Sequence, residues 1–267
     1  MSSNENIVIE KYQDGAEDQR AMLSRYTELE FHYTKKHLEP YITPRSAVIE
    51  LGCGTGYYGM HFAGRCKSYM GVDLTPGNIA LFQEKIQRQG LQNVAAQIGD
   101  ATHLTGIPDN RFDVVLCLGP MYHLPPEERE LVFTECKRIC KDGGTAAFAY
   151  INKVGVYIGA CVHDQAREIY PNEQANHAVL QCGKDDLRPD LFFYSMPEEM
   201  EQDAARHGFR KLKNLGTDFF LTMSIVEQMD DEKFGLLKPL LDQMTSHESC
   251  TGMSNHALLV CQKETRP

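Results

Sequence analysis

Residues 47–59, Ala-Val-Ile-Glu-Leu-Gly-Cys-Gly-Thr-Gly-Tyr-Tyr-Gly, constrain the fold more than any other stretch. Ala47 to Ile49 with Leu51 reads as a buried parallel strand. A glycine turn follows, and Tyr57 to Ala63 opens a helix. Strand, glycine loop and helix begin a βαβ nucleotide-binding unit. Glycine suits the turn because it adopts φ values that other residues avoid and lets a ligand approach the backbone. Two patterns are satisfied at once. Gly54, Gly56 and Gly59 give G-x-G-x-x-G, the dinucleotide fingerprint; Gly52, Gly54 and Gly56 give G-x-G-x-G. Glu50 weighs between them. A dinucleotide sets its pyrophosphate at this helix N-terminus, and a carboxylate at the strand tip repels it. A cationic ligand suits that carboxylate.

Three more strands follow in order. Tyr69 to Asp73 ends in an acid at the tip of the neighbouring strand. Asp73 there either accepts both hydroxyls of a ribose or caps the helix Asn78–Gln89, which Thr75-Pro76 introduces and Gly90 ends. Val94 to Ile98 is followed by Gly99-Asp100-Ala101. Ligands of open α/β sheets sit outside the carboxyl ends of the strands, so Asp100 shares a crevice with Glu50 and Asp73. Its carboxylate suits an adenine amino group, and the Ala101 N–H a ring nitrogen. Phe112 to Leu118 is the fourth strand, and Gly119-Pro120-Met121-Tyr122-His123-Leu124-Pro125 turns at its end. His123 has two readings: a proton acceptor near neutral pH, or a loop holder bonded to a backbone carbonyl.

These motifs, Glu50-Leu51-Gly52-Cys53-Gly54-Thr55-Gly56, Gly71-Val72-Asp73, Gly99-Asp100-Ala101, Phe112-Asp113-Val114-Val115 and Lys141-Asp142-Gly143-Gly144, stand in one order. In that order and spacing the chain resembles the class I S-adenosylmethionine (SAM)-dependent methyltransferases, bacterial type 11/12-like members in particular. The resemblance is close over residues 47–151 and loose on either side. It implies an α/β fold: a doubly wound, mostly parallel seven-stranded Rossmann-like sheet with helical lid insertions. The implied cofactor is SAM. Glu50, Gly52, Gly54 and Gly56 would face its methionine portion, Asp73 its ribose, and Asp100 with Ala101 its adenine. Tyr26, Cys53, Leu74, Leu118 and Gly119 complete the implied cofactor set. Tyr122 and His123 are the catalytic candidates, Tyr122 flanking the sulfonium, and no metal is implied. Leu118 to Leu124 departs from the Asn/Asp-Pro-Pro-Tyr motif of nucleic-acid amino methyltransferases, which argues against base N-methylation.

The flanks are read more coarsely. Residues 1–46 form a helical cap, with Ala16 to His37 as one or two helices on the spacing of Met22, Leu23, Tyr26, Leu29, Phe31 and Tyr33. Tyr12, Arg25, Tyr26 and Glu30 either touch ligand or dock that helix. Residues 47–151 are the SAM-binding core. Residues 152–267 finish the same domain, with lids at 152–195, which carries Lys184-Asp185-Asp186, and at 225–247. Phe192, Phe193 and Tyr194 line a pocket or pack a lid. The helices Pro126–Cys140 and Pro197–His207, and the strands Thr145–Ile151, Phe209–Asp218 and Ala257–Cys261, complete the pattern, the last two as an antiparallel edge pair.

Charge and cysteine usage narrow the function. With 27 basic and 37 acidic side chains the net charge is −10. That disfavours a nucleic-acid partner and leaves a small-molecule methyl acceptor as the expected substrate. Nine cysteines without a C-x-x-C pair fit reduced thiols. Neither a membrane span nor a signal-peptide pattern is seen, so a cytoplasmic protein without a membrane partner, monomer or homodimer, is expected. Rival readings are an RNA or protein methyltransferase, a SAM-binding protein without catalysis, and an NAD-dependent oxidoreductase, which lacks a Tyr-x-x-x-Lys pair.

Overall fold

The computed structural model describes residues 3–13, 15, 18, 20, 23–162, 170–184, 191–219 and 225–265. Ala16, Met22, Asp185 and Asp186 of the readings above lie outside them. Seven strands form one sheet in the order β3-β2-β1-β4-β5-β7-β6. They are β1 (Ala47–Leu51), β2 (Ser68–Asp73), β3 (Val94–Ile98), β4 (Phe112–Cys117), β5 (Cys140–Ile151), β6 (Phe209–Gly216) and β7 (His256–Lys263). The first five run parallel. Strand β7 enters antiparallel between β5 and β6, pairing with both. The chain thus begins β7 at the edge of the sheet where β1 to β5 end, and Ile151 stands opposite His256.

Alternation along the central strands fills both faces. Val48, Val114 and Leu116 pack with Phe31, Phe62 and Phe82. These come from α2 (Arg25–Leu38), α3 (Tyr57–Phe62) and α4 (Pro76–Gln89). Ile49, Val115 and Cys117 pack on the other face with Val132, Phe133 and Met200, from α5 (Pro126–Ile139) and the helix Pro197–Arg206. Residues at period two thus feed two layers, so β1 is buried throughout. Capping follows chemistry: the Ser24 hydroxyl accepts from the Thr27 N–H, Pro76 opens α4, and Gly90 ends it at φ +64°.

Gly56 sits at φ +85°, and a Cβ there would enter the ring of buried Phe82. Gly59 meets the same ring. These two glycines therefore let α3 close on α4. Gly54, at φ +51°, faces open space. Gly56→Ala is expected to cost about 2–4 kcal/mol through overpacking and backbone strain. Gly54→Ala should cost only about 1–2 kcal/mol of strain yet weaken ligand binding more. Thermal unfolding and calorimetric titration separate the two; equal losses of stability would refute the contrast.

Several boundaries differ from the sequence reading. Helix α1 (Ser3–Tyr12) was not expected, and α2 starts at Arg25 rather than Ala16. Strand β5 begins at Cys140, so Gly143, at φ +72°, lies within it, opposite a shift in the β4 register. The helix of the second insertion is Asp231–Met244. It packs on α2, where the Tyr33 hydroxyl donates to Asp242 Oδ1 at 3.0 Å and Leu29 meets Leu241 in one apolar cluster. All nine cysteines are free thiols. No helix among the described residues is long and apolar enough to cross a membrane.

Candidate active site

One cavity of about 370 Å³ opens along the carboxyl ends of the parallel strands. Glu50, Asp73 and Asp100, from three adjacent strand tips, all line it. Of the residues expected from sequence, Gly52, Cys53, Gly54, Leu74, Ala101, Leu118, Gly119, Tyr122 and His123 line it too. Two do not. Gly56 is turned into the α3–α4 packing, and Tyr26 is buried behind the cavity wall with its hydroxyl toward Asp218. Helix α2 places apolar residues on two sides, Phe31 and Leu38 on one and Tyr26, Leu29 and Tyr33 on the other.

The three acids have different surroundings. Glu50 is 1% exposed, and the Tyr69 hydroxyl donates to its Oε2 at 2.6 Å. Burial pushes its carboxyl up to about 8; the Tyr69 bond opposes this, and the Asp73 charge adds to it. Asp73 accepts from the Gly54 N–H at 2.8 Å on Oδ2. On Oδ1 it accepts from the Thr75 N–H at 2.9 Å and the Asn78 amide at 3.2 Å. It therefore organises the start of α4 while facing the cavity. Asp100 is tied by Thr102, whose N–H and hydroxyl donate to its two oxygens at 2.8 and 2.7 Å.

His123 is held on both sides. Its Nδ1 lies 2.8 Å from the Leu191 carbonyl, which assigns the proton to Nδ1 and leaves Nε2 to accept from the Tyr12 hydroxyl at 3.2 Å. Burial takes its imidazole down to about 4; the Leu191 bond opposes this and Arg20 adds to it. This geometry supports the loop-holding reading: a neutral ring pins α1 across the cavity. The Tyr122 hydroxyl donates to the Leu118 carbonyl at 3.0 Å.

Helix α1 contributes Glu5, Val8 and Tyr12 to the wall, and the first insertion contributes Val156, Phe192 and Tyr194. No described residue of 225–247 lines it; that insertion braces α2 instead. Among the lining residues given no site role from sequence are Asn78, Asn255 and His256. Asn78 is 3% exposed, and its Oδ1 has no hydrogen-bond partner among the described residues. The signal for the other two lay in topology. An antiparallel β7 starts where parallel strands end, so its first residues reach the same crevice.

The residues fit SAM on three observations. A buried acid without a cationic partner among the described residues, Glu50, suits an ammonium and a sulfonium. Gly54 leaves room at a positive φ. The orphaned Asn78 Oδ1 beside Asp73 calls for a ligand donor such as a ribose hydroxyl.

Residues 48–144 match the family described as "Methyltransferase domain". The ubiquinone biosynthesis O-methyltransferase of Acinetobacter baumannii (strain ACICU) is 26% identical over 150 residues, which are 51% of this chain and 62% of that protein. The chain thus spans less than two thirds of the curated relatives it first matches. The probable methyltransferase ltbC of Aspergillus luteorubrus is 27% identical over 118 residues, 41% of either chain. Among solved structures, magnesium protoporphyrin IX methyltransferase from Synechocystis PCC 6803, with SAH bound, superposes with a TM-score of 0.62. It shares 12% identity and covers 98% of this chain and 100% of its own. The [4+2]-cyclase SpnF superposes at 0.58 with 16% identity, over 87% of this chain and 80% of its own. At these identities the structures show the fold alone.

Proposed function

We propose, from the match of residues 48–144 to a methyltransferase domain, that this chain is a class I SAM-dependent methyltransferase that transfers a methyl group from SAM to a small-molecule acceptor. The observation that carries the proposal is the meeting of Glu50, Asp73 and Asp100 with the Gly54 backbone around one cavity. In this reading Glu50 faces the methionine end, with Gly52, Cys53 and Gly54 giving backbone approach. Asp73 with Asn78 takes the ribose. Asp100, Ala101 and Leu74 hold the adenine, and Leu118 and Gly119 floor the crevice beside Tyr122. SAM supplies an already activated methyl group. The chain's task is to hold the acceptor in line with it and keep water out, which can contribute several kcal/mol.

The wall favours a small acceptor over a nucleic acid. Among the described residues, Glu5, Glu30, Glu50, Asp73, Asp100 and Glu128 line the cavity against a single arginine, Arg20. Such a wall repels a phosphate backbone. The likeness to a cyclase keeps open the second reading, a SAM-binding protein that does other chemistry, because a shared fold does not transfer an activity. Calorimetry with SAM and with NAD tests the assignment first. SAM is expected to bind and NAD not; the reverse overturns it. Turnover of SAM to SAH with phenols, amines, thiols and acids then decides between methyl transfer and binding alone.

A further inference from the structure

The cavity has a second end that adenosine recognition leaves unused. Asp100 follows β3, Asp73 ends β2 and Glu50 lies near the end of β1, whereas His256 opens β7, three strands beyond β1. At about 4.8 Å per strand, that is roughly 14 Å away. Here Glu30 from α2, Asp218 just after β6, and His256 bring one ligand atom each within 4.8 Å of one another. His256 Nδ1 lies 2.7 Å from Asp218 Oδ2 and 3.7 Å from Glu30 Oε2. The His256 backbone N–H donates to Asp218 Oδ1 at 2.6 Å, and the Asn255 amide lies 2.8 Å from Nδ1. Asp218 is 2% exposed. Asp218 can only accept, so its bond assigns the proton to Nδ1, and the Asn255 amide is then oriented with its oxygen toward the ring. The other ring nitrogen, Nε2, has no protein partner among the described residues, and His256 lines the cavity.

We propose that His256 is the general base of this site, taking the proton of an aromatic hydroxyl on the acceptor, with Asp218 and Glu30 as positioning residues. The inference rests on the methyltransferase reading and adds its acceptor chemistry. The acceptor O–H bond breaks, an N–H bond forms at His256 Nε2, and the electron pair stays on oxygen. Asp218 keeps the tautomer and holds the imidazolium that results, as a carboxylate behind a histidine does. The proton later leaves to water.

The walls argue for an aromatic acceptor. Tyr122, Phe192, Tyr194, Ile151 and Val156 surround this end with flat and apolar surface. Arg20 pairs with Glu30 at the same place and offsets that carboxylate's charge beside the acceptor oxygen. The same pairing argues against a metal ion, because Arg20 and the imidazole N–H already occupy the two carboxylates.

The charges around the ring agree. Burial works against its charged form, but Glu30 and then Asp218 outweigh burial and hold the imidazole above its ordinary 6.5, with Arg20 opposing. Burial likewise opposes the charged form of Asp218, yet His256 and the Tyr26 hydroxyl keep its carboxyl below the ordinary range. A histidine so placed is a stronger base than a free one. Its neutral form, and with it kcat/KM, should rise through a midpoint above 6.5 as pH increases.

The test loads the protein with SAH and titrates in para-nitrophenol below neutral pH, reading phenolate absorbance. Bound para-nitrophenol is expected to be ionised in the wild type and neutral in His256→Gln. Equal ionisation in the two proteins overturns the base assignment, and failure of para-nitrophenol to bind overturns the acceptor class. Asp218→Asn supplies a second variant: the midpoint of the kcat/KM pH profile should fall together with the NMR titration midpoint of the His256 ring, and a kcat/KM midpoint that stays put while the ring's falls overturns the base assignment. With a methylated phenol, His256→Gln should lose about 10²- to 10⁴-fold in kcat. Dependence of turnover on a divalent cation, removed by EDTA, would also overturn the assignment. SAH binding, retained in His256→Gln, separates this failure from failure of the methyltransferase reading, in which the wild type would not bind SAH.

Discussion

Asp73→Asn is expected to lower SAM affinity about a hundredfold or more and to loosen the cofactor loop as well. The reason lies in what the carboxylate already does. Oδ2 accepts from the Gly54 N–H, and Oδ1 accepts from the Thr75 N–H and the Asn78 amide. Donors therefore face both oxygens. An asparagine must point its NH₂ at one set of them, so whichever way the amide turns, donor meets donor. At least one buried N–H loses its acceptor, at about 1–3 kcal/mol. A ribose then finds one acceptor where it expects two, each such bond to a charged group being worth about 1.5–3 kcal/mol. A total near 3 kcal/mol is roughly a hundredfold in Kd. Calorimetry measures the affinity and thermal unfolding the loop. Unchanged SAM affinity would remove Asp73 from the ribose and leave it only as an organiser of α4.

Local chemistry made Asp73 legible in the sequence, and the same holds for Glu50 and Asp100. Each ends a short apolar strand, and consecutive parallel strands carry their ends to one edge without help from distant residues. The glycine loop announced itself for the same reason, although its members do different jobs: Gly54 leaves space, whereas Gly56 and Gly59 make way for Phe82. What stayed hidden depends on packing. Helix α1 is short, polar and acidic at its start, and it is seated by tertiary contacts such as Tyr12 with His123. Asp218 and His256 are 38 residues apart, and only the reversed strand β7 makes them neighbours. His123 drew attention as a histidine in a turn at a strand end, yet its surroundings use both ring nitrogens. A residue type advertises what chemistry is available; the partners of its atoms decide which part of that chemistry is left.

Glu50→Gln should show the opposite signs in stability and in function. In the ligand-free protein the Glu50 carboxyl, ordinarily near 4.5, is pushed up to about 8. The folded state therefore keeps a proton that the unfolded chain gives up. Between pH 4.5 and 8 the unfolded state binds fewer protons, so this group's contribution to stability falls as pH rises and levels off above about 8. Glutamine keeps the shape and an acceptor for the Tyr69 hydroxyl but has no proton to lose. The variant is expected to melt a few degrees above the wild type near pH 8, the gap closing toward pH 4.5. Binding should move the other way. A sulfonium and an ammonium favour the carboxylate, so ligand binding draws a proton out of the site. Wild-type SAM affinity should thus climb with pH up to about 8 and then flatten, with proton release visible as a buffer-dependent enthalpy. In Glu50→Gln the affinity should drop about tenfold or more, as loss of a charged partner costs about 1.5–3 kcal/mol, and the proton release should vanish. A variant no more stable than the wild type, still releasing a proton on binding SAM, would show that the buried acid at the tip of β1 is not the group that meets the cation.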